Sequence, residues 1–336
     1  MSVNINLLKN IVDTPGATGH EKRIRNLVLN ELEGIADDVS IDNMGNVTAL
    51  KKGSGDQSVK HIDDNGFLKF HTLGGFDPKT LTAQRVIVHG KEDLVGVMGT
   101  KPIHVMTAEE RKQLPKTSDF FIDLGMSKEE VEQYVEIGNP VTRERELIEM
   151  GNNVNSKSID NRISVYVLLE TLRELKDQDI QYDFYGVFTV QEEVGLRGAQ
   201  VAGHTINPNF AFGLDTTIAF DTPGAKPDEE ITKLGEGVGI KIMDASAIAD
   251  YRMIDFMKAT AKDNDIKWQP EILTAGGTDT GGIQRMVKEG VIAGAVSIPT
   301  RNMHQVIEMA NKDDIRASID LLSSCITSLD KYDWSF

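Results

Sequence analysis

The most constraining feature of this chain is a change of texture that happens twice. Beyond Asn153, continuous apolar runs at 184–190, 210–214 and 291–298 alternate with helical patterns. Those helical patterns are the stripe Val165, Leu168, Leu169, Leu172 and Leu175, then 248–261 and 314–329. Apolar runs without polar alternation, set between helices, predict buried strands of a mostly parallel sheet covered by helices on both faces. The N-terminal stretch has the same character. Thr18-Gly19-His20-Glu21 reads as a capping box before Ile24, Leu27, Val28, Leu32 and Ile35, with a short strand at 46–50. Between the two, from Gly66 to about Met150, short runs at 67–70, 85–89 and 95–98 are punctuated by Gly74-Gly75, Gly90 and Gly99. That pattern predicts a small β-rich, barrel-like module. Because α/β texture lies on both sides of it, the expected fold is α/β with an inserted module. The discontinuous domain is 1–58 plus 153–336, and the insert is 59–152. The length agrees, since 336 residues exceed the ~250–300 at which single cores stop growing.

Charge and composition remove several functions. Acidic side chains outnumber basic ones 52 to 36, a net charge of −16 at pH 7. Nucleic acid and anionic membrane both need basic faces, so neither is an expected partner. No apolar run approaches the ~20 residues that span a bilayer, and Met1-Ser2-Val3-Asn4 lacks a signal-peptide pattern, so a soluble cytoplasmic protein is expected. Cys325 is the only cysteine, which excludes an internal disulfide and a thiolate-rich zinc site.

The chemistry is expected at strand ends, where open α/β sheets bind ligands. Glu192 and Glu193 follow the run at 184–190, and Asp215 follows 210–214. His304 lies past Pro299 in a turn, and Asp160 precedes the Val165 helix. Taken singly, each has an ordinary reading: Asp160 as a helix N-cap, the Glu pair as a solvated helix start, Asp215 as a turn residue, His304 as a surface histidine. His71, His89, His104 and His204 keep that ordinary reading. Co-location changes it. Like charges crowded together repel unless a cation sits among them. Carboxylates plus imidazole, with no thiolate, suit a divalent ion such as Zn²⁺, Co²⁺ or Mn²⁺. A carboxylate not used as a ligand can then serve as general base.

Five segments occur in a telling order: Ser158-Ile159-Asp160-Asn161-Arg162, then Thr189-Val190-Gln191-Glu192-Glu193-Val194-Gly195-Leu196-Arg197-Gly198-Ala199, Gly213-Leu214-Asp215, Gly276-Gly277-Thr278-Asp279, and Ile298-Pro299-Thr300-Arg301-Asn302-Met303-His304. Together they resemble the glutamyl aminopeptidase family of tetrahedral, dodecameric metalloaminopeptidases, some of which carry an old cellulase label. The resemblance covers nearly the whole chain, including Leu73-Gly74-Gly75 and Gly99-Thr100-Lys101-Pro102-Ile103-His104. It implies a zinc-peptidase-like catalytic domain and two divalent ions per subunit, Zn or Co. Asp160 would bridge them, Glu193 and His304 would complete one site, and Asp215 would belong to the other. Glu192 would be the general base, and Gly277, Thr278 and Asp279 would line the substrate pocket. The implied activity is removal of N-terminal residues from short peptides, with the inserted module joining dimers into a twelve-subunit shell.

One departure stands out. The family supplies a His-x-Asp motif at the end of a buried strand before the inserted module. Here His61-Ile62-Asp63 occurs, but Gly66-Phe67-Leu68-Lys69-Phe70 aligns with the strand after that motif, and no apolar strand precedes His61. The motif-bearing strand is therefore read as missing between about 53 and 59, with His61 as a substitute ligand the alternative. Two outcomes are expected from this: additional residues near 53–59 in the polypeptide actually made, or a poorly active form with at most one tightly held metal. Lesser departures are Asn302, where an aromatic residue is frequent, and the flexible Gly281-Gly282. Two other functional classes stay open: a catalytically impaired assembly or binding subunit of the same fold, and, remotely, a glycan hydrolase. The latter is weakened because adjacent strand-end residues point apart, whereas paired hydrolase carboxylates flank one bond at roughly 5–9.5 Å.

Overall fold

A computed structural model describes residues 2–36, 38–48, 57–75 and 77–335. The chain opens with α1 (Ile5–Asp13), capped by Asn4, whose side chain accepts the Leu7 N–H at 3.2 Å. α2 (Lys22–Glu31) follows, and the capping box expected at 18–21 does not form. Glu21 instead turns its carboxylate back to the Gly19 N–H at 2.7 Å. A hairpin of β1 (Ser40–Ile41) and β2 (Val47–Thr48) ends the N-terminal portion.

The insert is a closed barrel. β3 (Gln57–Ile62), β4 (Leu68–Thr72), β5 (Arg85–His89), β6 (Asp93–Gly99), β7 (Phe121–Asp123) and β8 (Pro140–Arg143) join in the order β3-β4-β7-β6-β5-β8. Period-two alternation turns Leu68, Val86, Val88, Met98, Ile122 and Val141 inward. α3 (Lys128–Tyr134), set by a Ser127–Glu130 capping box, adds Val131 to that core. Closure leaves the barrel without a free edge. The sequence suggests 59–152 for this module. Barrel strands run from Gln57 to Arg143, and β9 (Ile148–Met150) and β10 (Asn153–Ser156) already pair in the large sheet. Of the stretch 53–59, where a strand was read as missing, residues 53–56 lie outside the described residues and 57–59 belong to β3.

The remaining elements are α4 (Ile159–Leu175), β11 (Val187–Phe188), α5 (Arg197–Ile206), β12 (Phe210–Ile218), β13 (Val238–Met243), α6 (Tyr251–Asp263), β14 (Trp268–Ile272), α7 (Asp279–Met286), β15 (Ile292–Arg301), β16 (Glu308–Asn311) and α8 (Lys312–Ser328). The large sheet runs β14-β13-β15-β16-β10-β9, with β12 on the opposite edge of β15. Only the β12–β15 and β13–β14 pairs are parallel, so the sheet is mixed rather than mostly parallel. Apolar runs report burial on both faces, which a helix-covered mixed sheet shares, and they do not report strand direction. Two apolar clusters hold the layers together, one around α1, α2 and α4 and one around α6 and α8. β11 is much shorter than the apolar run at 184–190. Among the described residues it pairs only with β2, in a separate three-stranded sheet. No helix among the described residues is long and apolar enough to cross a membrane.

Candidate active site

Three turns bring the acidic groups and the imidazole together. The first begins α4, where Asp160 and Asn161 have non-helical backbone angles and are joined by a cis peptide bond. The second is the single turn Glu192–Val194 after β11, and the third carries His304 after β15. Five non-glycine residues with left-handed φ lie within three positions of these groups: Ser158, Gln191, Leu196, Asn302 and His304 itself. Such backbone is costly and persists where surrounding structure holds it. Here the holding groups can be named. Glu308, 2% exposed, accepts the Asp160 N–H at 2.9 Å and the His304 N–H at 3.1 Å. Asn46 accepts the Val190 N–H at 2.9 Å and donates to the Gly198 carbonyl at 3.2 Å, bracketing the glutamate turn. Asn161 donates to the Leu214 carbonyl at 3.0 Å, tying the start of α4 to β12.

Asp160, Glu193 and His304 offer ligand atoms that all lie within 4.8 Å of one another. The His304 Nε2 is 3.1 Å from the Asp160 Oδ2. That hydrogen bond, with the further negative charge of Glu193 and Glu308, pushes the imidazole up to about 9 despite burial. Two carboxylates and one imidazole, without a thiolate, fit a single divalent ion with an open coordination position. Asp215 stands outside this group among the described residues. It lies within β12 and is buried. Burial first, then Glu192, Asp160 and Asp279, holds its carboxyl well above the usual range, with Lys241 working the other way. Glu192 therefore faces Asp215 electrostatically while its neighbour Glu193 joins the ligand trio.

The residues expected to line the pocket divide. Asp279, first in α7, takes a hydrogen bond from the Thr189 hydroxyl and belongs to the same acidic surroundings. Thr278 is buried and donates to Asp244 at 3.0 Å, so it anchors the loop. Gly277 packs against Ser246, which a Cβ there would meet at 2.9 Å. The barrel supplies one wall. Gly74, with φ +102°, lies so close to Glu193 that a Cβ would sit 3.2 Å from its side chain, and Gly75 faces His304.

His61 and Asp63 are not brought to the trio. His61 is on barrel strand β3, and Asp63 accepts the N–H groups of Asn65 and Phe67 in the turn that follows. His89, by contrast, is satisfied inside the barrel, bonded to Asp93 and Thr142, each at 2.9 Å. Two functional positions escape sequence reasoning. Glu308 carries no spacing signal, and the buried Lys241 reads as an ordinary strand residue. Lys241 pairs with Glu271, whose carboxylate also accepts the Thr217 hydroxyl at 2.7 Å.

A helix-covered mixed sheet with carboxylates and imidazole gathered at its strand ends, and a barrel inserted beside them, defines an α/β metallopeptidase. The chain belongs to the M42 glutamyl aminopeptidase family, whose sequence profile matches residues 57–321. It is 36% identical over 333 residues to a putative aminopeptidase of Acetivibrio thermocellus, covering 95% of this chain and 97% of that one. Its fold matches the TET aminopeptidase of a marine sediment archaeon, Thaumarchaeota archaeon SCGC AB-539-E09, with TM-score 0.92 and 34% identity over 97% and 96% of the two chains. It also matches the Pyrococcus horikoshii TET1 peptidase, described as assembling into a tetrahedron or a large octahedral shell. There the TM-score is 0.84 and the identity 29%, over 96% and 98% of the chains. The protein is thus a metal-dependent aminopeptidase.

Proposed function

We propose that this protein removes N-terminal residues from short peptides in the cytoplasm, with one divalent ion held by Asp160, Glu193 and His304 and with Glu192 as general base. The observation that carries this reading is the convergence of those three donors within 4.8 Å, with the adjacent Glu192 outside the trio and close enough to Asp215 to raise its carboxyl. When bound, such an ion supplies Lewis-acid polarisation of the scissile carbonyl and of the attacking water. Glu308 keeps Asp160 and His304 in place through their backbone N–H groups. Glu192 takes the proton from water and returns one to the leaving amine. Asp279, Asp215 and Glu192 surround the site with negative charge, which attracts the ammonium of a free N-terminus and disfavours internal bonds.

Zinc and cobalt both suit this donor set. Asp215 and Asp160 alone make a poor second site, which supports one tightly held ion rather than the family's two. The same observation favours a second reading, an impaired subunit that keeps the fold. Chromogenic aminoacyl substrates assayed with and without added Zn²⁺ or Co²⁺, alongside metal analysis, separate the two. One ion per chain with metal-dependent turnover is expected; a bound ion without turnover would establish the second reading.

The barrel is proposed as the self-association surface. Its outer face exposes Val95, Val97, Ile103, Val105 and Leu114, an apolar set that a lone subunit leaves in water. Light scattering should report a homo-oligomer, up to a dodecamer. A stable monomer would remove the assembly proposal.

A further inference from the structure

Of the ligand trio, His304 alone is exposed. Its side chain is 51% accessible, against 11% for that of Asp160. An imidazole that packing does not enclose takes its direction from its own backbone and from the groups that hold it. That backbone is a tight turn. Asn302 and His304 both have φ of +60°, and the Gln305 N–H closes on the Asn302 carbonyl at 3.0 Å. Two non-glycine residues in the left-handed region, two positions apart, make a turn that relaxes unless it is held from outside.

Two buried side chains hold it. Glu308, from the large sheet, accepts the His304 N–H at 3.1 Å. The second is Arg143, and it comes from the barrel. Its Nη1 donates to the Gln305 carbonyl, 162 residues away along the chain. Arg143 is 5% exposed. A guanidinium is buried where its donors find acceptors, and its planar fork meets an acceptor in a fixed direction. The strand behind it is firmly set. Arg143 ends β8 opposite Val86 of β5. Thr142 before it is bonded to His89 at 2.9 Å, and the Glu144 N–H after it donates to the Arg85 carbonyl at 3.1 Å. The barrel also meets the trio at Gly74, beside Glu193, and at Gly75, beside His304. Those two contacts limit space, whereas Arg143 grips the turn by a directional bond.

We infer that Arg143 is a positioning residue for metal binding, which fixes the His304 turn from the barrel so that the imidazole is already aimed at an ion shared with Asp160 and Glu193. This rests on the metal site of the proposed function. The barrel then contributes to the affinity of that site as well as offering a surface for assembly. No step of the reaction passes through Arg143 itself.

The test measures Zn²⁺ binding to the metal-free, full-length protein by competition with a chromogenic chelator, each variant first being shown to be folded by circular dichroism. Arg143→Met should weaken Zn²⁺ binding by about 10–100-fold, the usual effect of losing a group that orients a ligand. Arg143→Lys keeps a cationic donor and should recover part of that loss. Ile122→Ala, in the barrel core, lowers stability without touching the turn and should leave Zn²⁺ affinity unchanged. Should Arg143→Met not fold, Arg143→Gln, which keeps a polar head on a shorter stem, takes its place. Unchanged affinity in that variant, an equal loss in Ile122→Ala, or no recovery in Arg143→Lys would overturn the inference. A wild-type protein that binds no Zn²⁺ would instead overturn the metal site on which the inference rests.

Discussion

The barrel and the α/β domain meet the same physical demand in opposite ways. Both are built from strands whose backbone groups must be paired. The barrel closes through six strands and leaves no edge. Among the described residues, the α/β domain gives β11 and β12 one strand partner each, beside its carboxylates. Two histidines carry the same contrast, His89 buried and His304 half exposed. His89 in the barrel is held by Asp93 and Thr142, and burial pushes its imidazole below the usual value. His304 is pushed up to about 9, chiefly by its hydrogen bond to Asp160. A satisfied region is a scaffold. A region left with crowded charge has binding still to do.

Turnover gives the sharpest way to break that comparison. Glu192→Gln should lower peptidase turnover by about 10²–10⁴, the usual contribution of a general base, while metal content stays the same. His304→Ala should lose both turnover and metal. His89→Gln, in the barrel, should leave turnover intact. A Glu192→Gln enzyme retaining most of its activity would remove Glu192 from the role given to it.

Packing offers the next test. Ile122 is 0% exposed in the barrel core, so Ile122→Ala should cost about 2–5 kcal/mol through lost burial and a new cavity. Leu168 borders the cavity beside β12. Leu168→Ala should cost less, because atoms bordering a void forfeit fewer contacts on removal. Chemical denaturation of the two variants compares them, and equal costs would mean that the cavity is packed in solution.

The smallest effect joins the two regions. Arg23 of α2 grips Asp93 of the barrel through two hydrogen bonds, one at 2.7 Å. These hydrogen bonds, aided by His89 and opposed by burial, hold the Asp93 carboxyl at about 2. A depressed carboxylate stabilises the fold above its ordinary value near 3.8, and that contribution disappears as the pH falls from there through about 2. Both side chains are substantially exposed, so the pair contributes no more than about 1 kcal/mol. Asp93→Asn should flatten the acid limb of the stability curve by that amount. An unchanged acid limb would mean that the two regions are not coupled here.

What the sequence determined by itself was local. A short apolar run closed by Gly90 put a strand at 85–89, where β5 is Arg85–His89. The Val165–Leu175 stripe marked α4, whose buried face includes all five of its residues. Strand-end carboxylates point to one sheet edge from their spacing alone. Tertiary structure decided the rest, because the deciding partners are far apart in the chain. Glu308 positions Asp160 from 148 residues away, and no periodicity links them. The apolar run at 184–190 became only Val187–Phe188, paired with Val47 and Thr48 of β2 from more than a hundred residues away. Strand direction followed from the connections between elements, which side-chain apolarity does not encode.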